Sequence, residues 1–561
     1  MTEPNDQSDS LSPEAVRIVE QFENLIKNKF ESRQRLIDDA GPLAERLAGE
    51  QVASRLAAQD PTLWGPDAES EAAVRLSWTT LHETSRPLVG EIEALRAELA
   101  AEGVDRVVLA GMGGSSLAPE VITRTAGVPL VVLDTTDPGQ VADALAGDLT
   151  RTVLVVSSKS GSTVETDSHR RIFEQAFAEE GIEAASRIVV VTDPGSPLEA
   201  SSKAAGYRRV FAADPHVGGR YSALTAFGLV PSGLAGADVG QLLDEAAAAA
   251  RHLSQDRVEN PALLLAAALG GAHARGAEKV VIADTGSGIK GFGDWAEQLI
   301  AESTGKNGTG LLPVVVESPE SPEFSDARQD ATPIAIGEAT NGALMGTEGG
   351  LGGQFLLWEY ATAVVGRVLG INPFDQPDVE AAKKAARALL DAPKSEPAAP
   401  TFVDGPVEVY APADVSEVHE ATTLAGALHA FFAASPDFGY ISIQAYLDRI
   451  ADASAIVLRP EIARRAGVYT TFGWGPRFLH STGQYHKGGH QNGMFLQLTG
   501  AVEEDLQVPD RPYTLGTLQL AQALGDGQVL AEHGRPVLRL HFTDRAAGLA
   551  HLAKALQEVN R

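Results

Sequence analysis

Four runs between residues 104 and 193 are almost unbroken in apolar side chains: "VDRVVLAG" (104–111), "VPLVVLD" (128–134), "RTVLVVSS" (151–158) and "SRIVVVTD" (186–193). Helix-length segments separate them. Continuous apolar runs, as opposed to alternating ones, suit parallel strands buried on both faces. A second set follows in "EKVVIAD" (278–284), "LLPVVVE" (311–317) and "TPIAIG" (332–337). The rhythm predicts two doubly wound α/β domains. Upstream, residues 1–10 are polar and expected to fray. "SPEAVRIVEQFENLI" then reads as a helix, with Ser12 as N-cap, Pro13 in the first turn, and Ile18, Phe22 and Leu25 on one face. "DAPKSEPAAP" (391–400) is a linker candidate. Beyond it, "PVEVYAP", "GYISIQAY", "GMFLQLTG" and "RPVLRLHF" are strand-like. The reading divides the chain into an N-terminal helical segment (1–100), α/β domains at 101–255 and 256–392, and a C-terminal α/β region at 401–561.

Composition narrows the function. The 561 residues suffice for several cores. A formal net charge of −30 argues against wrapping nucleic acid or docking on an anionic membrane, both of which reward basic surface. An anionic substrate must therefore be drawn in by local lysines and arginines. Without cysteine there is no disulfide, thiolate or zinc–sulfur chemistry. No signal-peptide core and no run of 18 apolar residues is present, so a soluble, cytoplasmic protein is expected.

Two segments after predicted strands carry candidate chemistry. "AGMGGSSLAPE" (110–120) joins a strand to a predicted helix start, and its glycines let backbone N–H groups approach an anion. Its glycine spacing is not that of a dinucleotide site, and the Walker lysine is missing. "SSKSGSTVET" (157–166) repeats the arrangement one βα unit later with hydroxyls and a lysine. Alone, each has a plain structural alternative: a tight turn for the first, a helix-capping cluster for the second. Two such turns at the carboxyl ends of strands in one parallel sheet favour a phosphate site. "DPHVGGRYSAL" (214–224), "EQLIAESTGKNGTGLLP" (297–313) and "GINPFDQPDVEAAKK" (370–384) place Arg220, Glu302 and Lys383 beside turns or helix ends.

Taken in order, these five motifs resemble phosphoglucose isomerases, which are built from two sugar-isomerase (SIS) domains. "GMGGSSLAP" is similar to the family's first sugar-phosphate loop, "SSKSGSTVET" to its second, "GGRYSAL" to its arginine signature, "EQLIAESTGK" to the catalytic-glutamate segment and "NPFDQPDVEAAK" to its lysine signature. With its tail, the chain looks most like the isomerase half of bacterial transaldolase/isomerase fusions. Residues 1–103 are too few for the transaldolase barrel, which needs ~200 or more.

The resemblance implies interconversion of glucose 6-phosphate and fructose 6-phosphate through a cis-enediol, without metal or redox cofactor. It implies that Ser158, Ser160 and Thr163 hold the phosphate, with Lys159 and Ser115 lining the same pocket. Glu302 is then the proton-shuttling base, Arg220 stabilises the enediolate, Lys383 assists at the ring oxygen or O1, and Gln298, one turn before Glu302, contacts substrate. The family's ring-opening histidine lies between the glutamate and lysine motifs, yet no histidine occurs here between His273 and His419. The tail loop "GPRFLHSTGQYHKGGHQNG" (475–493) is expected to replace it, through His486 first and His480 second. Its histidines lack accompanying carboxylates, so no metal site is expected there.

Other readings are an SIS isomerase acting on mannose or aminosugar phosphates, and a non-catalytic sugar-phosphate sensor. The sensor needs the phosphate loops but not Glu302, Arg220 and Lys383 together. The resemblance also implies a homodimer, and it raises a functional link to a separate transaldolase.

Overall fold

A computed structural model describes residues 34–340, 342–391 and 398–559. The helix expected at residues 12–26, and residues 392–397 of the proline-rich stretch, lie outside them. Helices occupy residues 34–101, and strand–helix alternation follows.

Strands β1 (Arg106–Gly111), β2 (Val131–Leu133), β3 (Thr152–Ser157), β4 (Ile188–Thr192) and β5 (Arg209–Ala212) form one sheet in the order β2-β1-β3-β4-β5. Every pairing is parallel. β6 (Lys279–Asp284), β7 (Leu312–Val315), β8 (Ala331–Ile336) and β9 (Met345–Thr347) form a second parallel sheet, ordered β7-β6-β8-β9. The third sheet contains β10 (Phe402–Asp404), β11 (Val407–Tyr410), β12 (Tyr440–Tyr446), β13 (Tyr469–Trp474), β14 (Gly493–Gly500) and β15 (Val537–Phe542), ordered β10-β11-β15-β14-β12-β13. Its β15-β14-β12-β13 part is parallel, and β10 and β11 add as an antiparallel edge.

The fold is α/β, with parallel sheets as the apolar runs predicted. Four strands escaped that pattern: β5, β9, β10 and β13. β5 is an edge strand with one buried residue among its four, and β13, "YTTFGW", is rich in threonine and glycine. Neither presents a continuous apolar run.

Six helices matter for the site: α1 (Leu117–Ala126), α2 (Val164–Glu179), α3 (Phe292–Thr304), α4 (Val379–Asp391), α5 (Gly483–Gly488) and α6 (Leu515–Glu532). One apolar core runs through the first two sheets, with Leu109, Val155, Ile282 and Trp358 among its members. The tail has its own core around Ile443, Leu496 and Leu540. A further cluster joins Val281 and Leu312 of the second sheet to Tyr440, Tyr485 and Phe495 of the tail. Each such side chain contributes about 1.5–3 kcal/mol when buried. Ion pairs reinforce this docking: Glu120 of α1 receives Arg449 at 2.7 Å and Arg477 at 2.5 Å. Burial pushes the Glu120 carboxyl up, but the two guanidinium groups outweigh it and hold the pKa down to about 2.

Among the described residues, no helix is long and apolar enough to cross a membrane.

Candidate active site

In the first sheet the chain leaves β1 toward β2 on one side and then returns to β3 on the other. Open α/β sheets bind ligands at the carboxyl ends of the strands flanking such a reversal. The loops that follow β1 and β3 form one end of a cavity of about 460 Å³.

The first loop contributes Ser115. Its glycines are there for space: a Cβ on Gly114 would collide with the carbonyl of Gly219, just before Arg220, and Gly113 has φ +55 with the His480 carbonyl 2.5 Å from where a Cβ would lie. The second loop turns its hydroxyls toward one another. Ser158 Oγ lies 3.0 Å from Thr163 Oγ1 and accepts the Gly161 N–H, while Ser160 Oγ lies 3.0 Å from Ser162 Oγ. Thr163 precedes α2 yet makes no side-chain cap bond to it. Its hydroxyl serves the cluster, which goes beyond a plain capping role. Lys159 also lines the cavity, with Nζ 2.6 Å from Asp193.

The opposite end is carboxylate and amide. Glu302 sits on α3 and is 6 % exposed. Gln298, one turn earlier, directs Nε2 to Glu302 Oε1 at 3.4 Å and to the His480 carbonyl at 2.8 Å. Burial raises the Glu302 carboxyl above its ordinary value, while Arg220, Gln298, His480 and Lys383 pull the other way. Lys383, on α4, lines the same cavity.

Arg220 is nearly fully buried and stands behind this wall. Its guanidinium reaches Glu302 Oε2 at 3.4 Å, Ser303 Oγ at 2.9 Å and Gln376 Oε1 at 3.1 Å, and the carbonyls of Pro373 and Asp375 at 2.7 and 2.9 Å. It acts on the cavity through Glu302 and Gln376, both of which line it.

The third wall comes from the tail: His480, Lys487, Leu518 and Gln522 line the cavity. His480 Nε2 lies 3.1 Å from Glu165 Oε1, the same oxygen that receives Gln522 Nε2 at 2.6 Å. Burial pushes Glu165 up, but the neighbouring His480 and Lys383 hold its pKa down to about 2.

Residues 73–318 match the family model "Phosphoglucose isomerase". A protein of Natronomonas pharaonis named "Probable glucose-6-phosphate isomerase" is 30% identical over 341 residues, covering 51% of this chain and 79% of that protein. The chain belongs to the phosphoglucose isomerase family. A relative from Thermosynechococcus vestitus, named "Glucose-6-phosphate isomerase", is 29% identical over 444 residues, or 68% of this chain and 82% of its own. Among solved structures, a hypothetical protein of Thermus thermophilus shares the fold, with a TM-score of 0.53 and 24% identity over 67% of this chain and 99% of its own.

Set beside the family expectation, Ser115, Ser158, Lys159, Ser160, Thr163, Gln298, Glu302, Lys383 and His480 converge on one cavity. Arg220 is one layer behind it. Of the two tail histidines, His480 lines the cavity and His486 is not among the lining residues. His486 is 2 % exposed and packed away from the cavity wall, with ring centroids of Tyr440, Phe478 and Phe495 at 6.2, 6.0 and 5.3 Å. Burial, with Lys487 and Arg535 nearby, pushes its pKa well below the ordinary value.

Glu165, Gln376 and Gln522 also line the cavity and were not singled out from the sequence. Glu165 and Gln376 stand inside motifs read for their hydroxyls and their lysine. Gln522 carries no local signal: its Oε1 accepts the Thr136 hydroxyl, 386 positions away, at 2.8 Å. Among the described residues, no group of three or more His, Cys, Asp or Glu is placed to hold a metal ion.

Proposed function

We propose that this protein interconverts glucose 6-phosphate and fructose 6-phosphate. The hydroxyl cradle of Ser158, Ser160 and Thr163, with Ser115 and Lys159, receives the phosphate and so fixes the distance to the reacting carbons. His480, oriented by Glu165, moves the proton that opens and closes the ring. Glu302 then takes the C2 proton of the open aldose and returns it to C1, while the hydroxyl proton passes from O2 to O1. C1 is reduced and C2 oxidised within one molecule, so no external oxidant or reductant enters. Arg220 offsets the charge that builds on the enediolate from behind Glu302 and Gln376, and Lys383 assists at O1 or the ring oxygen.

One observation carries the reading: a buried carboxyl with a raised pKa shares a single cavity with a cluster of hydroxyls. A sensor has no use for that carboxyl. The test is conversion of fructose 6-phosphate to glucose 6-phosphate, coupled to glucose-6-phosphate dehydrogenase, for the wild type beside Glu302→Gln. Turnover that collapses in the variant supports the reading, and an inactive wild type overturns it.

The three sheets support dividing the chain at 101–255, 256–392 and 401–561, after a helical segment to residue 100. We place the activity in the cytoplasm, in glycolysis and gluconeogenesis. A homodimer and a working link to a separate transaldolase complete the proposal. Size-exclusion chromatography and pull-down against transaldolase test these two.

A further inference from the structure

The tail also touches the catalytic helices at a point outside the cavity wall. Gln484, on α5, is completely buried. Its Nε2 donates to the carbonyl of Gly305 at 2.9 Å and to Asp378 Oδ2 at 2.7 Å, and its Oε1 accepts the Asp378 N–H at 3.0 Å. Gly305 directly follows α3, which carries Glu302. Asp378 directly precedes α4, which carries Lys383. One planar amide therefore pins the end of one helix to the start of the other.

The chemistry of the contact is specific. It needs two donors and one acceptor on a rigid group, which is what a primary amide offers. A carboxylate of the same shape would lose both donors and face the Asp378 carboxylate. The surrounding backbone is fitted to this contact. A Cβ on Gly488 would collide with Asp378 Oδ2 and come within 2.8 Å of the Gly305 carbonyl, and one on Gly305 would lie 2.5 Å from Tyr485 Cα. The same loop is gripped further upstream by Arg220, at Pro373 and Asp375, and by Lys306, whose Nζ lies 2.7 Å from the carbonyls of Asn372 and Asp375. Gln484 closes the grip at the last residue before the helix.

We propose that Gln484 is a positioning residue that sets the span between Glu302 and Lys383 across the cavity. The proposal rests on the isomerase reading above, in which both side chains act on one substrate. A shift of one helix by about 1 Å suffices to cost up to 10²-fold in rate.

The test is Gln484→Glu, alone and with Asp378→Asn. For Gln484→Glu we expect kcat to fall about 10- to 100-fold, with KM for fructose 6-phosphate held within about threefold, because the phosphate cradle is untouched. Adding Asp378→Asn should recover most of the loss, since the new side-chain amide donates to the introduced carboxylate. Hydrogen exchange supplies a readout independent of turnover: amides in the first turns of α4 should exchange faster in Gln484→Glu, with those of β1 and β3 unchanged. Wild-type kcat in Gln484→Glu, or a loss that Asp378→Asn does not recover, overturns the positioning role. Unaltered exchange in α4 overturns the clamp itself. An inactive wild type would instead overturn the isomerase reading, and the exchange result would still decide the clamp.

Discussion

Two walls of the cavity are built differently. One, from Met112 to Glu302, lies within the segment that matches the family model and is built from strand-end loops and one helix. The other, from Leu479 to Gln522, belongs to a separate sheet and lies outside that segment. The first wall is built from the loops after β1 and β3 and from Gln298 and Glu302 on α3. The second holds its place by docking, through contacts that include apolar packing on the second sheet, the Arg477 and Arg449 pairs to Glu120, and the Gln484 amide. In the proposed mechanism the phosphate-binding groups come from local loop geometry, while His480 depends on how the tail meets the first two sheets.

The hardest challenge to this division of labour lies at Glu302. Glu302→Gln should lower kcat by about 10³-fold, within the range of general acid–base catalysis, with little change in KM. Glu302 must be ionised to accept the proton, so wild-type kcat/KM should fall as pH drops through its folded pKa. Because burial raises that pKa, the acidic limb should lie above the ordinary 4.5. A limb at or below it would mean that another group limits turnover.

Next in size is the docking of the second wall. Arg477 pairs with Glu120 and, at 3.3 Å, with Asp134. Arg477→Ala leaves both acids buried with reduced compensation and should cost about 3–5 kcal/mol in chemical denaturation. A loss below about 1 kcal/mol, the scale of an exposed pair, would show that the tail docks without this contact.

His480→Ala should then lower kcat about 10²-fold on cyclic substrate while sparing C2 proton exchange on the open chain. His486→Ala should stay within about threefold in kcat but lower the melting temperature, since it removes a buried ring from an aromatic cluster. The opposite ranking would return the ring-opening role to His486. The smallest effect is on the first wall's grip: Ser158→Ala removes one hydrogen bond to the charged phosphate worth about 1.5 kcal/mol and should raise KM roughly tenfold, with kcat nearly constant. A fall in kcat instead would mean that the cradle steers the reacting carbons more than it binds.

Most of the first wall was legible in the chain. Apolar runs announce strands because buried parallel strands need apolar side chains on both faces. Hydroxyls and glycines directly after such runs announce anion sites, because the end of a strand leaves backbone donors open. The order of the five motifs then identified Glu302, Arg220 and Lys383 by resemblance. Less of the second wall could be read. His480 and His486 sit six positions apart in one polar, glycine-rich loop, and their spacing alone does not tell a cavity residue from a packed one. What separates them is the company each finds: Glu165 for His480, and Tyr440, Phe478 and Phe495 for His486.

The α/β class and the glycine- and hydroxyl-rich loops after β1 and β3 were therefore written into the linear chain, since each depends on interactions within one or two neighbouring elements; Glu302 was reached by resemblance. Three other features arose with the packing of the domains: Arg220 works from behind the wall, Glu165 and Gln522 join the site, and His480 faces the cavity while His486 does not. Those outcomes depend on contacts such as Gln522 to Glu165, made across 357 positions, and no local pattern encodes which distant side chain will fill the space opposite.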